Sequence, residues 1–207
     1  GTGDAVNSAR SMLAERDSTL IVLSGDVPMI KPETLAGLIQ LHYSHRGRGA
    51  ACTILTVKLK DPSGYGRIVR DGEGLFERIV EQKDASDDER RIPEINAGIY
   101  CFDTRKLFEQ LRLVKNNNAQ GEYYLTDVPA LLRAAGEDVA LFQHNDPHEI
   151  EGVNNRVQLA DLERIINRRS VLRLMLDHGV TFIDPKTAYI SERAVVGRDT
   201  VIHPNVT

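Results

Sequence analysis

Thr19-Leu20-Ile21-Val22-Leu23-Ser24-Gly25-Asp26 is the stretch on which the reading of this chain turns. A short branched apolar run bounded by Gly suggests a buried strand, which puts Asp26 just past its carboxyl end, where open α/β sheets bind ligands. Gly25 carries no side chain, so a ligand can approach the backbone beside Asp26 closely; a helix cap is the structural alternative. Far along the chain, Gly152-Val153-Asn154-Asn155 follows strand-like residues 148–151. A fold that joins the two tips makes an oxygen-lined divalent-ion site. Asn on its own is common in turns. Magnesium, however, takes only one or two protein oxygens and leaves water and substrate phosphates to complete its octahedron, so one Asp and one Asn amide suffice.

Composition limits the remaining possibilities. The 207 residues are 41% hydrophobic and 27% charged, enough for a solid core without staples. Thirty acidic against 26 basic residues leave a net charge of −4, which argues against a broad nucleic-acid or anionic-membrane surface. Any anionic substrate is therefore met locally. Cys52 and Cys101 sit in apolar segments without C-x-x-C spacing, so buried reduced thiols and a cytoplasmic location are expected. No stretch resembles a signal peptide, and no apolar run approaches the roughly 20 residues of a membrane span.

The chain opens at Gly1-Thr2-Gly3 and runs straight into a helical pattern (Ala5, Val6, Ala9, Met12, Leu13) without a Met, so a fragment of a longer protein is expected. Pro32 opens a second helix carrying Leu35, Leu38 and Ile39, and residues 50–57 read as another buried strand. This alternation is the α/β signature. Residues 66–100 read as strand, Asp71-Gly72 turn, strand, polar loop and strand, an antiparallel insertion beside the main sheet. The mixed-charge run 83–91 reads as a solvated loop, and residues 116–121 as a turn. Thr126 looks like a helix N-cap, with Pro129 in the first turn and Gly136 at the end; a strand follows over residues 139–142. Beyond Asn155 comes one long helix with Leu159, Leu162, Ile165, Ile166, Leu172, Met175 and Leu176 on a stripe, stopped at Gly179. After Asp184-Pro185, Ile190, Val196 and Ile202 recur every six residues, with Val195 and Val201 in step. Hexapeptide periodicity marks a β-helix; a plain half-buried strand is the alternative.

Other residues could carry chemistry. Gly64-Tyr65-Gly66-Arg67 could face a ligand with its backbone N–H groups or simply serve a hairpin. Glu81 is a carboxylate at a strand end, and Asn96 interrupts an apolar run where a buried amide needs partners, which a sugar's hydroxyl and amide groups supply. Residues 122–127 set Tyr123 and Tyr124 beside Thr126 and Asp127, a mixture suited to a sugar ring, though also to ordinary packing. His144 and His148 are four apart, but Pro147 between them spoils a helical zinc site. No G-x-S-x-G elbow supports a nucleophilic hydrolase.

Taken in order, G-T-G-D-A-V (1–6), L-S-G-D-V-P (23–28), G-Y-G-R-I-V (64–69), I-V-E-Q-K-D-A (79–85), E-I-N-A-G-I-Y (94–100), N-N-N-A-Q-G-E-Y-Y-L-T-D (116–127) and E-G-V-N-N-R (151–156) closely resemble one family. It is the bacterial bifunctional N-acetylglucosamine-1-phosphate uridylyltransferase / glucosamine-1-phosphate acetyltransferase. The resemblance implies a Rossmann-like nucleotidyltransferase sheet, incomplete at its N-terminus, over residues 1–155. A linker helix over 156–184 and the beginning of a left-handed β-helix over 185–207 would follow. It implies that UTP and N-acetylglucosamine 1-phosphate give UDP-N-acetylglucosamine, a precursor of peptidoglycan and lipopolysaccharide, and pyrophosphate. In the full-length parent, a trimeric β-helix would transfer acetyl from acetyl-CoA.

Position by position, the resemblance assigns Gly1 and Thr2 to the uracil and Asp26, the candidate catalytic residue, with Asn154 to Mg²⁺. It assigns Gly66, Glu81, Asn96 and Asn154 to the N-acetylglucosamine end, with Tyr124 and Thr126 lining the same pocket. Asp4 stands where the family often has His, and Ser24 where many members have Tyr. The family's opening G-x-G-T-R-M loop and the lysine after it, which hold the triphosphate, have no counterpart in these 207 residues, so little turnover is expected of this polypeptide alone. Two alternatives stay open: another sugar-1-phosphate nucleotidyltransferase, or a non-catalytic binding or assembly fragment.

Overall fold

Only the first half of the 19–26 stretch is extended. In the computed structural model, which describes residues 1–153 and 155–207, strand β1 covers Thr19–Val22 and the chain then leaves the sheet, so that Asp26 lies on an exposed loop. All four β1 residues are half-buried, where a fully buried strand was expected. The reason is pairing: among the described residues β1 bonds to a single neighbour, strand β5 (Glu94–Asp103), and runs antiparallel to it.

The chain divides into two compact units, Gly1–Glu151 and Gly152–Thr207. The first is built on a mixed sheet of β1, β5, β2 (Cys52–Lys58), β3 (Arg67–Arg70), β4 (Phe76–Val80) and β6 (Val139–His144), in the order β4-β3-β5-β2-β6 with β1 also on β5. β2 and β6 are parallel, joined through long connections; the other pairs are antiparallel. Along one edge β5 carries β2, and along the other it carries β3 at Ile95 and β1 at residues 100–103. The hairpin expected as an insertion beside the sheet is therefore continuous with it, sealed where the Asn96 amide donates to the Gly66 carbonyl at 2.9 Å.

Period-two alternation along β5 sends its side chains to two cores. Tyr100 and Phe102 pack with Leu107, Phe108 and Leu132 on one face, and Ile95, Ile99 and Cys101 pack with Leu38 and Leu55 on the other. Helices α5 (Thr104–Leu111) and α6 (Val128–Ala134) cover the first face, and α3 (Pro32–Ser44) covers the second. Each fully buried Leu or Phe contributes about 1.5–3 kcal/mol, so the three layers hold together without covalent links. Both cysteines are free and buried, as expected, and they face opposite cores. Burial pushes the Cys101 thiol up to about 12 and the Cys52 thiol well above its ordinary value, with Cys101 adding to the latter.

Several local expectations change. The N-terminal helix is split into α1 (Thr2–Asn7) and α2 (Arg10–Leu13), with the Ser8 hydroxyl donating to the Ala5 carbonyl at the break. Thr126 does not cap α6: it lies in a 3-10 turn over Leu125–Asp127 and its hydroxyl donates elsewhere, while Asp127 holds the cap position. The run 83–91 contains a short helix, α4 (Asp87–Arg90), closed by a reciprocal Ser86–Glu89 capping box. Residues 148–151 are not strand-like. Pro147 starts a 3-10 turn over Pro147–Ile150, and the Asp146 carboxylate accepts from the His148 amide at 3.1 Å.

In the second unit α7 (Arg156–Leu176) has 21 residues, about 31 Å at 1.5 Å per residue. Leu162, Val171 and Leu174 are buried, but Leu159, Leu172 and Leu176 are exposed, so the apolar stripe is narrower than expected. β7 (Thr181–Phe182) pairs in parallel with β8 (Val201–Ile202) across 20 residues of chain. Ile190, Val196 and Ile202 turn into the core of this unit, whereas Val195 is 99% exposed and Val201 half exposed. The six-residue spacing thus sorts inside from outside, although two strands of two residues do not define a β-helix. No helix among the described residues is long and apolar enough to cross a membrane.

Candidate active site

The segment Ile95-Asn96-Ala97-Gly98-Ile99-Tyr100 is bulged. Between the pairs Ile54↔Tyr100 and Thr56↔Asn96, the single residue Leu55 of β2 faces residues 97–99 of β5. Gly98 makes the bulge possible: its φ of +72° is a backbone conformation that a Cβ disfavours. The Gly98 amide donates to Asn96 Oδ1 at 3.1 Å, and Asn96 Nδ2 donates to the Tyr100 hydroxyl at 2.7 Å. The buried amide thus has its partners within its own strand, and one N–H of Nδ2 remains for a ligand. The Gly98 carbonyl in turn accepts from the Ser24 hydroxyl at 3.5 Å, which ties the bulge to the loop carrying Asp26.

Beside the bulge lies the Glu81 carboxylate. Thr126 Oγ1 donates to Glu81 Oε1 at 3.0 Å. A Cβ on Gly66 would lie 3.1 Å from Ile79, a tight contact, and 3.5 Å from Glu81 Oε2, so Gly66 lets the backbone pass directly beside the carboxylate. Burial raises the Glu81 pKa, the Thr126 hydrogen bond opposes this, and the charges of Asp84 and Asp127 raise it further. Burial, with Asp84, raises Asp127 as well. Tyr124 is buried, and its hydroxyl accepts from Gln120 Nε2 at 2.8 Å. Glu81, Asp84, Lys115, Asn118, Tyr124 and Thr126 line a cavity of about 300 Å³.

The first residues of the chain reach the same neighbourhood. Thr2 Oγ1 accepts from the Leu125 amide at 3.1 Å, which leaves its own O–H free to donate. The Gly3 amide donates to the Tyr123 carbonyl at 2.8 Å, and a Cβ on Gly1 would lie 2.6 Å from that carbonyl oxygen. Close backbone packing accounts for glycine on both sides of Thr2.

Asp26 makes no hydrogen bond or ion pair to any described residue. Its charge is felt by the Tyr65 phenol, whose pKa is raised by burial first and then by Glu151 and Asp26. Tyr65 therefore has both carboxylates nearby. The approach to Glu151 is fixed by buried Glu149, which accepts from Lys31 Nζ at 2.6 Å and Thr34 Oγ1 at 2.5 Å. Burial pushes the Glu149 carboxyl up, but the hydrogen bonds from Lys31 and Thr34 and the adjacent His144 pull it down to about 2. Asn154, the second expected magnesium ligand, lies outside the described residues. Asn155 serves as the N-cap of α7, its Oδ1 accepting from the amides of Val157 and Gln158 at 3.0 Å each. Among the described residues no group of three or more His, Cys, Asp and Glu is arranged to hold a metal. An exposed carboxylate with uncommitted oxygens nevertheless fits magnesium, which needs few protein ligands.

Of the expected residues, Gly66, Glu81, Asn96, Tyr124, Thr126, Gly1 and Thr2 thus fall along one connected set of contacts. Asp26 joins it through the Ser24–Gly98 contact. Sequence reasoning read Tyr65 and Arg67 only as part of a turn and gave no role to their side chains or to those of Tyr100 and Gln82. Gln82 Oε1 accepts from the Gly64 amide at 3.3 Å and from Arg67 Nη2 at 2.8 Å, and buried Arg67 also donates to the Tyr65 carbonyl, holding the Gly64–Gly66 turn. An arginine inside a run that otherwise reads as buried strand was the available signal.

The first unit is thus a mixed sheet between helical layers with polar groups gathered at a bulge of β5. The chain belongs to the nucleotidyl transferase family, whose model matches residues 1–147. It is 49% identical over 207 residues to the bifunctional protein GlmU of Enterococcus faecalis, covering all of this chain and 44% of that protein. It is 50% identical over 202 residues to GlmU of Limosilactobacillus fermentum, covering 98% of this chain and 44% of that protein. The chain spans less than half the length of these relatives. Among solved structures, apo UDP-glucose pyrophosphorylase superposes with a TM-score of 0.54 at 18% identity, over 69% of this chain and 52% of that one. CMP:2-keto-3-deoxy-manno-octonic acid synthetase in complex with CTP gives 0.53 at 16% identity, over 82% and 69%. These two likenesses establish the fold alone.

Proposed function

We propose that this chain carries the uridylyl-transfer site of a sugar-1-phosphate nucleotidyltransferase acting on UTP and N-acetylglucosamine 1-phosphate. The observation that carries the reading is the run of contacts from Asn96 at the β5 bulge through Gly66 to Glu81, which with Thr126 and Tyr124 lines the adjacent cavity. There, ionised Glu81 accepts from sugar hydroxyls, the free Asn96 N–H donates to a carbonyl such as the N-acetyl oxygen, and Tyr124 supplies an apolar wall. Thr2 offers its hydroxyl to the uracil, and Gly1, packed closely beside it, lies against the same base.

An oxygen of the sugar's phosphate attacks the α-phosphorus of UTP in line. A new P–O bond forms as the bond to the β-phosphate oxygen breaks, and its electron pair leaves with pyrophosphate. No covalent enzyme intermediate is required, so the residues of the site work by holding and orienting. Asp26, paired by the family resemblance with Asn154, would hold Mg²⁺, which supplies charge neutralisation at phosphate oxygens. Extending the same reading, residues 156–184 are the linker, helical over Arg156–Leu176, and 185–207 the beginning of a left-handed β-helix. Acetyl transfer from acetyl-CoA and trimer formation belong to the longer protein.

Isothermal calorimetry tests the sugar site. UDP-N-acetylglucosamine should bind the chain saturably and more tightly than UDP-glucose, and Glu81→Ala should remove the binding. Equal affinity for both nucleotides would point to a different sugar-1-phosphate nucleotidyltransferase. Absence of any binding would favour an assembly fragment.

A further inference from the structure

The second unit contains a cavity of about 540 Å³ between α7 and the segment that follows β7. Its walls are mainly apolar, from Val171, Leu172, Met175, Pro185 and Tyr189, and its rim carries Arg164, Arg168 and Lys186. No Asp or Glu lines it. Arg164 reaches only Asp161, at 3.4 Å, while the Arg168 guanidinium and the Lys186 ammonium pair with no described residue. Three like charges around a low-dielectric surface repel one another more than they would in open water. The walls are fixed in advance: Asn167 Nδ2 donates to the Ala188 carbonyl at 2.8 Å and its Oδ1 accepts from the Ile190 amide at 2.9 Å, clipping the helix to the following segment.

We propose that this cavity binds a small phosphate monoester with an apolar body. A phosphate near neutral pH carries about 1.5–2 negative charges and three acceptor oxygens, which match a rim of two arginines and a lysine better than a single-charge carboxylate does. The apolar body lies on Leu172, Met175 and Tyr189, surfaces otherwise left partly in water. Nothing in the uridylyl-transfer reading uses these residues.

Met175 makes the test site-specific, because the chain has three methionines and the other two, Met12 and Met29, belong to the first unit. The full chain, labelled with ¹³C at its methionine methyl groups, is titrated with octyl phosphate while NMR spectra are recorded. The Met175 signal should shift saturably while Met12 and Met29 stay in place. Octyltrimethylammonium, with the opposite charge, and inorganic phosphate, without the apolar body, should each bind at least about tenfold more weakly. Arg168→Gln combined with Lys186→Gln should weaken octyl phosphate by about tenfold or more; both residues are exposed, and unchanged hydrogen-exchange protection of the α7 amides certifies the fold of the second unit. A Met175 signal that ignores octyl phosphate, responds equally to the cationic amphiphile or is indifferent to the double substitution overturns the proposal. So does one that shifts with protein concentration alone, which would mean that a second copy of the chain occupies the cavity.

Discussion

Glu81 shows how function and stability pull apart at a single carboxyl group. Its pKa is raised by burial, and by Asp84 and Asp127, against one hydrogen bond from Thr126. A carboxyl that holds its proton more tightly folded than unfolded subtracts stability above its raised pKa, and that penalty vanishes as pH falls through it. Ligand binding has the opposite preference, because only the ionised form accepts hydrogen bonds on both oxygens. Affinity for the sugar phosphate is therefore expected to fall, on acidification, at a higher pH than an unperturbed glutamate would give. In an enzyme assembled around this site, Glu81→Gln should raise the sugar-phosphate KM about tenfold with kcat much less affected, measured by pyrophosphate release. Equal loss in kcat and kcat/KM would place Glu81 in the chemistry instead of the sugar pocket. Asp26→Ala is the complementary case. Its carboxylate is exposed and without a hydrogen-bond partner among the described residues, so thermal stability should change by no more than about 0.5 kcal/mol. Magnesium-dependent turnover should nevertheless be lost.

At the level of elements, the β5 bulge and the Pro147–Ile150 turn position the site. Gly98→Ala would force a Cβ into a φ of +72° and to within 3.2 Å of Ser24 Oγ. A loss of about 1–2 kcal/mol in denaturant unfolding is expected. The bulge itself was only half legible: Asn96 stood out as a polar residue in an apolar run, but its partner Tyr100 looked like ordinary core. Register slips are set by the neighbouring strand, which comes from 40 residues away, and no local pattern contains them. The 148–151 segment misled for a related reason. Ile150 and its neighbours suggest a strand, yet Pro147 and Asp146 prefer a turn, and buried Glu149 is held by side chains more than 100 positions earlier. Glu149, held near 2, contributes stability present above its ordinary value of 4.5 and lost as pH falls towards 2. That contribution is on the order of 3 kcal/mol, and Glu149→Gln should remove most of it at pH 7 while flattening acid unfolding between pH 5 and 2. An acid-denaturation profile unchanged by the substitution would mean that Lys31 and Thr34 do not stabilise the ionised form.

For the molecule as a whole, the alternation of helix and strand and the apolar stripes were enough to give the layers, because each reports a local period. What the periods do not carry is strand order. Antiparallel β1 and the hairpin's place within the main sheet emerged only from pairing with β5. The second unit rests on α7, and its Asn155 cap is expected to contribute about 1 kcal/mol, so Asn155→Ala should lower helicity near the start of that helix in hydrogen-exchange measurements.

The two cysteines supply a built-in clock. They lie on either side of one sheet, fully shielded, and their protons are held too firmly for the reactive anion to form in the closed state. A thiol reagent can reach either sulfur only when the layers separate. Matching modification rates at the two positions would show that both faces let go in a single event, whereas a faster rate at one would identify the helical layer that peels away first.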